Sequence, residues 1–192
     1  MLNASLIGFV FLGLFSPGPN VILVTTSGAR FGFVRTLPHI AGIVVGVGII
    51  AAVTGFGVGA LLQAMPMLKW VLTTVSVIWI LYLAYRLWIA VPPAQDPHAK
   101  PFTFVEAVLF QWVNPKIWAV ALAASAFVAS HPPMIQALTL GLTFSSVNSG
   151  VCTFWTFAGT LLSVLLTKPG AWTLFNRIMA LALVGFSLLL LL

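Results

Sequence analysis

Two short runs hold the residue types best able to do chemistry in this chain: Ser16-Pro17-Gly18-Pro19-Asn20 and Asn114-Pro115-Lys116. Each sets proline and asparagine inside a stretch that is otherwise apolar. Proline lacks the backbone N–H, so the carbonyl four residues earlier loses its helical partner. Pro17 and Pro19 thereby free the carbonyls of Gly13 and Phe15, and Pro115 frees that of Gln111. Such carbonyls can accept from an ammonium group. Helices that restart after Asn20 and after Lys116 present unpaired N–H groups and a positive dipole end, which suit a carboxylate. Asn20 and Asn114 add amides that donate or accept. A site offering both kinds of group fits a zwitterion.

Lys116 is the most informative single residue. It lies ten residues beyond Glu106, near the start of the same apolar run, or about 15 Å along a helix. That puts it deep in a bilayer, where a lysine is expensive unless it snorkels, pairs or serves a ligand. No acidic residue sits in the middle of any apolar run. Two readings stand: Lys116 binds an anionic group of a substrate, or it ties down carbonyls freed by the prolines.

Ser145, Ser149, Cys152 and Thr156 recur at helical spacing, with Asn148 beside them, and make a polar stripe on one face. Such a stripe either lines a path or joins helices. His39 after Pro38 and Glu106 at the head of the fourth run are the candidates for proton coupling if a gradient drives transport; both positions also suit interfacial residues. Trp112 and Trp118 flank the second break and could wall a small cavity. His98, His131 and Asp96 are too scattered for a metal site, and no nucleophile has a base near it in sequence. Neither catalysis nor a cofactor is expected. One cysteine, Cys152, permits neither an internal disulfide nor a dithiol relay.

These residues must be positioned by membrane helices. Of 192 residues 61% are hydrophobic and 5% charged, with a mean hydropathy of +1.15, against about 25% charged in soluble domains. Eight Lys and Arg face two acids, but they are scattered near the ends of apolar runs, which argues for topology signals and against nucleic acid as a partner. Spans of about 20 residues predict six helices, roughly 2–28, 38–64, 67–91, 102–130, 134–166 and 171–192. The N-terminal run lacks a basic segment and a small-residue cleavage site, so it is read as retained. Gly42, Gly46, Gly55 and Gly59 form two Gly-xxx-Gly pairs suited to close helix packing, within the chain or in a homodimer.

The polar stretch 92–101 divides a single transmembrane domain, 1–192, into similar halves, about 1–91 and 102–192, each opening with a helix broken by proline and asparagine. Three spans per half make the halves opposite in direction. The expected fold is thus an all-α integral membrane protein of six helices, arranged as two inverted three-helix repeats with helices 1 and 4 broken. Chance likeness between apolar segments is the other explanation. With the N-terminus outside, Arg30, Arg35, Arg86, Lys100, Lys168 and Arg177 face the cytoplasm; the opposite orientation puts only Lys69 there. Both termini are therefore expected at the periplasmic or exterior side. Trp70, Trp88 and Trp172 near span ends fit an aromatic belt.

Pro17-Gly18-Pro19-Asn20 followed by Gly28, Gly32 and Arg35, then Gly42 and Gly46, and Asn114-Pro115-Lys116 resemble the LysE/RhtB family of amino-acid exporters over essentially the whole chain. Ala99-Lys100-Pro101, Gln111, Val113-Asn114, Lys116-Ile117 and Asn176 with Ala180-Leu181-Ala182-Leu183 look most like the subgroup exporting cysteine and O-acetylserine. Thr36 and Ala180 depart from the common pattern, where glycine is frequent. The resemblance implies a bacterial inner-membrane exporter whose substrate-binding positions include Pro17, Gly18, Pro19, Asn20, Asn114, Pro115 and Lys116. The expected partners are a small amino acid and membrane lipid. Ser145, Asn148, Ser149 and Thr156 are the candidate path-lining residues. The lack of a mid-membrane acid argues against a lysine-like substrate and for a neutral one, exported by proton-driven alternating access. A passive channel would need a longer polar lining than one stripe, and saturable, gradient-dependent flux separates it from an exporter. A non-transporting assembly subunit would move nothing in vesicles.

Overall fold

The structure, a computed structural model, describes residues 4–58, 65–92 and 99–191. Asp96, His98, Gly59, most of the expected linker and the expected end of the second span lie outside the described residues. Among these residues the regular structure is helical throughout: α1 (Ala4–Phe15), α2 (Pro19–Phe31), α3 (Phe33–Gly55), α4 (Pro66–Trp88), α5 (Phe104–Trp112), α6 (Pro115–Ser125), α7 (Pro133–Leu162) and α8 (Pro169–Leu189). Short 3-10 turns follow α6 at Ala126–Val128 and α7 at Leu165–Thr167.

Both expected breaks are present. α1 meets α2 at 61° and α5 meets α6 at 63°, because Pro19 and Pro115 open new helices rather than continue old ones. Three helices are individually long and apolar enough to cross a membrane: Phe33–Gly55, Trp70–Trp88 and Gly170–Leu189. Each bent pair counted as one span raises the number to five. The remaining expected span, α7, is an unbroken helix of 30 residues, about 45 Å long. Its Ser145, Ser146, Asn148 and Ser149 dilute the apolar character on which such a count depends.

The second helix begins five residues earlier than its sequence implies. Pro38 reads as a first-turn residue, yet α3 starts at Phe33, directly after Gly32, whose φ of +78° stops α2 and turns the chain. Only glycine adopts that backbone freely. Pro38 therefore lies inside α3, and His39 sits in its second turn.

Packing crosses the chain. α7 runs along α3, α2 and α1, whereas α3 also holds α5 and α6, and α4 pairs with α8. Val10, Ile43, Val47, Ile117 and Phe144 form the main core; Ile22, Leu23, Ile80, Leu83 and Leu183 form a second. Small residues set the approaches. A Cβ on Gly28 would run into the Thr156 carbonyl, and one on Gly159 into that of Thr25, so α2 and α7 touch backbone to backbone. Gly42 and Gly46 face α5, and Gly55 faces Ala137 of α7. The aromatic-belt expectation fits Trp70 and Trp88, which are exposed, but not Trp172. That ring is buried against Ala29 and Phe175 and donates Nε1–H to the Ala90 carbonyl at 3.3 Å.

Candidate functional site

The two breaks meet. From α2, Asn20 extends its amide to Gln111 on α5, and the pair exchanges two hydrogen bonds: Asn20 Nδ2 to Gln111 Oε1 at 2.8 Å and Gln111 Nε2 to Asn20 Oδ1 at 3.2 Å. Gln111 is fully buried, donates also to the Ala107 carbonyl at 2.9 Å, and has Gly46 behind it, where a Cβ would stand 2.7 Å from its Cγ. Asn114 Nδ2 completes the cluster with a bond to Gln111 Oε1 at 3.4 Å.

Lys116 crosses in the other direction. Its Nζ donates to the Ser16 carbonyl at the first break, and its stem lies against Gly18. Gly18 has an extended backbone open to any residue. A Cβ there would come within 2.8 Å of Lys116 Cδ and 2.9 Å of Nζ, so a larger residue would displace the flexible end of the lysine. The carbonyl at the second break is treated alike: Trp112 O accepts from Trp118 Nε1 at 3.1 Å, with the two rings edge to face.

Two of the freed carbonyls are not free in the folded chain. Gly13 O accepts from Ser16 Oγ at 2.9 Å, and Gln111 O from the Asn114 N–H at 3.1 Å. They leave little for an ammonium group. The open valences lie instead on side chains: Asn114 Oδ1 and Asn148 Nδ2 are buried and have no partner. Both residues line a closed cavity of about 10 Å³ with Gly18, Asn20, Lys116 and Cys152. That is roughly the room one water needs, so a larger ligand enters only if the helices part.

The remaining candidates are spread out. Pro19 is buried in the first turn of α2, Pro17 is exposed outside the cavity, and Pro115 faces an apolar cleft of about 770 Å³ between α4, α6 and α8. Of the stripe on α7, Ser145 Oγ donates to Val44 O of α3 at 3.1 Å, Ser149 is exposed and donates to its own helix, and Thr156 is buried beside Gly28. Only Asn148 and Cys152 reach the cavity.

His39 and Glu106 come together elsewhere, on a second, open cavity of about 220 Å³ that also takes Thr26, Arg30, Arg86 and Lys100. Glu106 caps α5: Thr103 N–H and Oγ both donate to its Oε2 at 2.8 Å. Sequence reasoning took the three basic residues as topology signals and missed the cavity, which draws on α2, α3, α4, α5 and α8. In the sequence Gln111 enters through its freed carbonyl and as part of the family resemblance, with no role for its side chain; the available signal was a polar side chain three residues before Asn114 in an apolar run.

The LysE type translocator family matches residues 11–192. The chain is similar to the cysteine/O-acetylserine efflux protein of Salmonella typhimurium strain LT2, 30% identical over 168 residues that cover 84% of each chain. It is similar also to that of Escherichia coli strain K12, 29% identical over 187 residues covering 92% of this chain and 90% of the other. No solved structure matches it.

Proposed function

The chain belongs to the LysE type translocator family, and on that premise we propose that it exports small neutral amino acids from the cytoplasm across the inner membrane. The names of its relatives point to substrates of the cysteine and O-acetylserine kind. The observation that carries this reading is the closed cavity where both broken helices converge. It offers an unpaired acceptor, Asn114 Oδ1, an unpaired donor, Asn148 Nδ2, and the Lys116 ammonium. Those are the groups a zwitterion uses: Lys116, Asn148 and the N–H groups of the α2 and α6 first turns hold the carboxylate, and Asn114 Oδ1 takes the ammonium.

A cavity of about 10 Å³ cannot hold an amino acid, which fits an occluded stage of alternating access. The crossed packing, each bent pair against the long helix from the other half, fits two inverted three-helix repeats that rock about the breaks, with six spans and both termini outside. On this orientation the basic residues Arg30, Arg86 and Lys100 face the cytoplasm. His39 and Glu106, on the cavity at that end, are the groups we assign to proton coupling.

The test is efflux from cells preloaded with labelled amino acids, comparing no protein, the intact chain and Lys116→Ala at matched expression. The reading expects faster loss of neutral amino acids with the intact chain and none with the variant. Efflux that persists in Lys116→Ala would remove the lysine from the site and leave the carboxylate to amides and backbone N–H groups. If no amino acid moves, the substrate class is wrong.

A further inference from the structure

The open cavity at the basic end and the closed cavity at the breaks are arranged in the same order along two helices. On α2, Leu23, Thr26, Ser27 and Arg30 line the open cavity, while Asn20 and Val21, with Gly18 just before the helix, line the closed one. On α5, Glu106 lines the open cavity and Gln111 makes the pair, and Asn114, just beyond the helix end, lies in the closed one. The Asn20–Gln111 pair therefore stands at the wall of the closed cavity, on the side toward the open one.

The open side is chemically equipped. Arg86 and Lys100 are exposed on its wall, Glu106 stands opposite in charge, and Tyr82 accepts a hydrogen bond from Arg86 NH1 at 3.1 Å. His39 is 2% exposed, lines this cavity, and has no hydrogen bond on either ring nitrogen. A buried imidazole with both nitrogens unpaired is costly unless something meets it. One nitrogen of neutral histidine donates and the other accepts, so it can meet either end of a zwitterion.

We propose that this cavity is a second substrate site, a loading site in which a zwitterionic amino acid waits, carboxylate toward Arg86 and Lys100 and ammonium toward Glu106, before the Asn20–Gln111 pair opens. The inference rests on the exporter reading for its ligand class and direction. Exposed cations around a recess also raise local anion concentration, an effect that salt weakens.

The test uses the purified chain in lipid vesicles with Leu87→Cys, on the cavity wall, and a maleimide applied from the basic side. Thr26→Cys serves as a second reporter should the first misfold. The native thiol, Cys152, is buried, and the chain with no introduced cysteine sets the background labelling. O-acetylserine and homoserine should slow labelling, and the matching amines without a carboxylate should not. Arg86→Gln with Lys100→Gln should raise the half-protecting concentration about tenfold, as should high salt in the intact chain. Asn148→Leu, which fills the closed cavity, should stop export yet keep the protection. Labelling indifferent to both amino acids, protection unchanged in the double variant, or protection lost in Asn148→Leu would each overturn the loading site. Efflux from the same vesicles is scored separately: its absence overturns the exporter reading, while labelling alone decides the site.

Discussion

Asn20 and Gln111, 91 residues apart, satisfy each other's amides with two hydrogen bonds inside the protein. Removing one partner strands the other in a dry site, at a cost of about 1–3 kcal/mol. Gln111→Leu should therefore lower the melting temperature in detergent, and Asn20→Leu combined with it should recover part of the loss. A double variant that loses as much as the two singles summed would show that the pair is not a unit. Either single variant should also leak or stall transport, since the wall of the closed cavity is broken.

Lys116 supplies the donor for a carbonyl at the first break, besides lining the closed cavity. Lys116→Ala loses a charge-assisted bond and should destabilise by about 1.5–3 kcal/mol as well as abolish efflux. Thermal denaturation and efflux, measured together, separate the roles. Normal stability with no efflux would leave only the ligand role, and reduced stability with normal efflux only the structural one.

Asn148 has an opposite signature. Its Nδ2 has no partner, and its Oδ1 takes only a long contact from Cys152 Sγ at 3.7 Å. Asn148→Leu removes an unmet donor, and its somewhat larger side chain takes up the small cavity beside it, so stability should change by less than about 1.5 kcal/mol while export is lost. Strong destabilisation would mean that the amide is structural.

Gly28 and Gly159 set the α2–α7 approach, each pressed against a carbonyl of the other helix. Gly28→Ala or Gly159→Ala forces the helices apart and should cost about 1–3 kcal/mol, read as a lower melting temperature. The two sites share one contact, so the double variant should cost less than the sum. Unchanged melting would place the crossing elsewhere.

The breaks were legible in the sequence because proline acts locally: Pro19 and Pro115 dictate a new helix wherever the chain goes. Lys116 was legible for its cost in an apolar run. The use of the carbonyls was not, because Ser16 Oγ and the Asn114 N–H reach them only in the bent geometry. Pro38 misled for a similar reason. Its position favours a helix start, but Gly32 had already made the turn. The open cavity was hidden altogether, since Arg30, Arg86, Lys100 and Glu106 become neighbours only through tertiary packing.

The crossed packing also bears on how the protein is made. Helices α1–α3 emerge first, but the surfaces they present belong to α5, α6 and α7. Until residues beyond 104 are synthesised, the groove at Gly42 and Gly46 and the Asn20 amide have no occupant from their own half. Insertion into the bilayer must therefore run ahead of assembly: α2 and α3 already share the Ser27–Thr36 hydrogen bond, but the Asn20 amide still waits for Gln111. A chain stalled after α4 is neither half of a transporter nor a folded intermediate. Only when α5, α6 and α7 follow, and α8 for α4, does each early surface meet its partner.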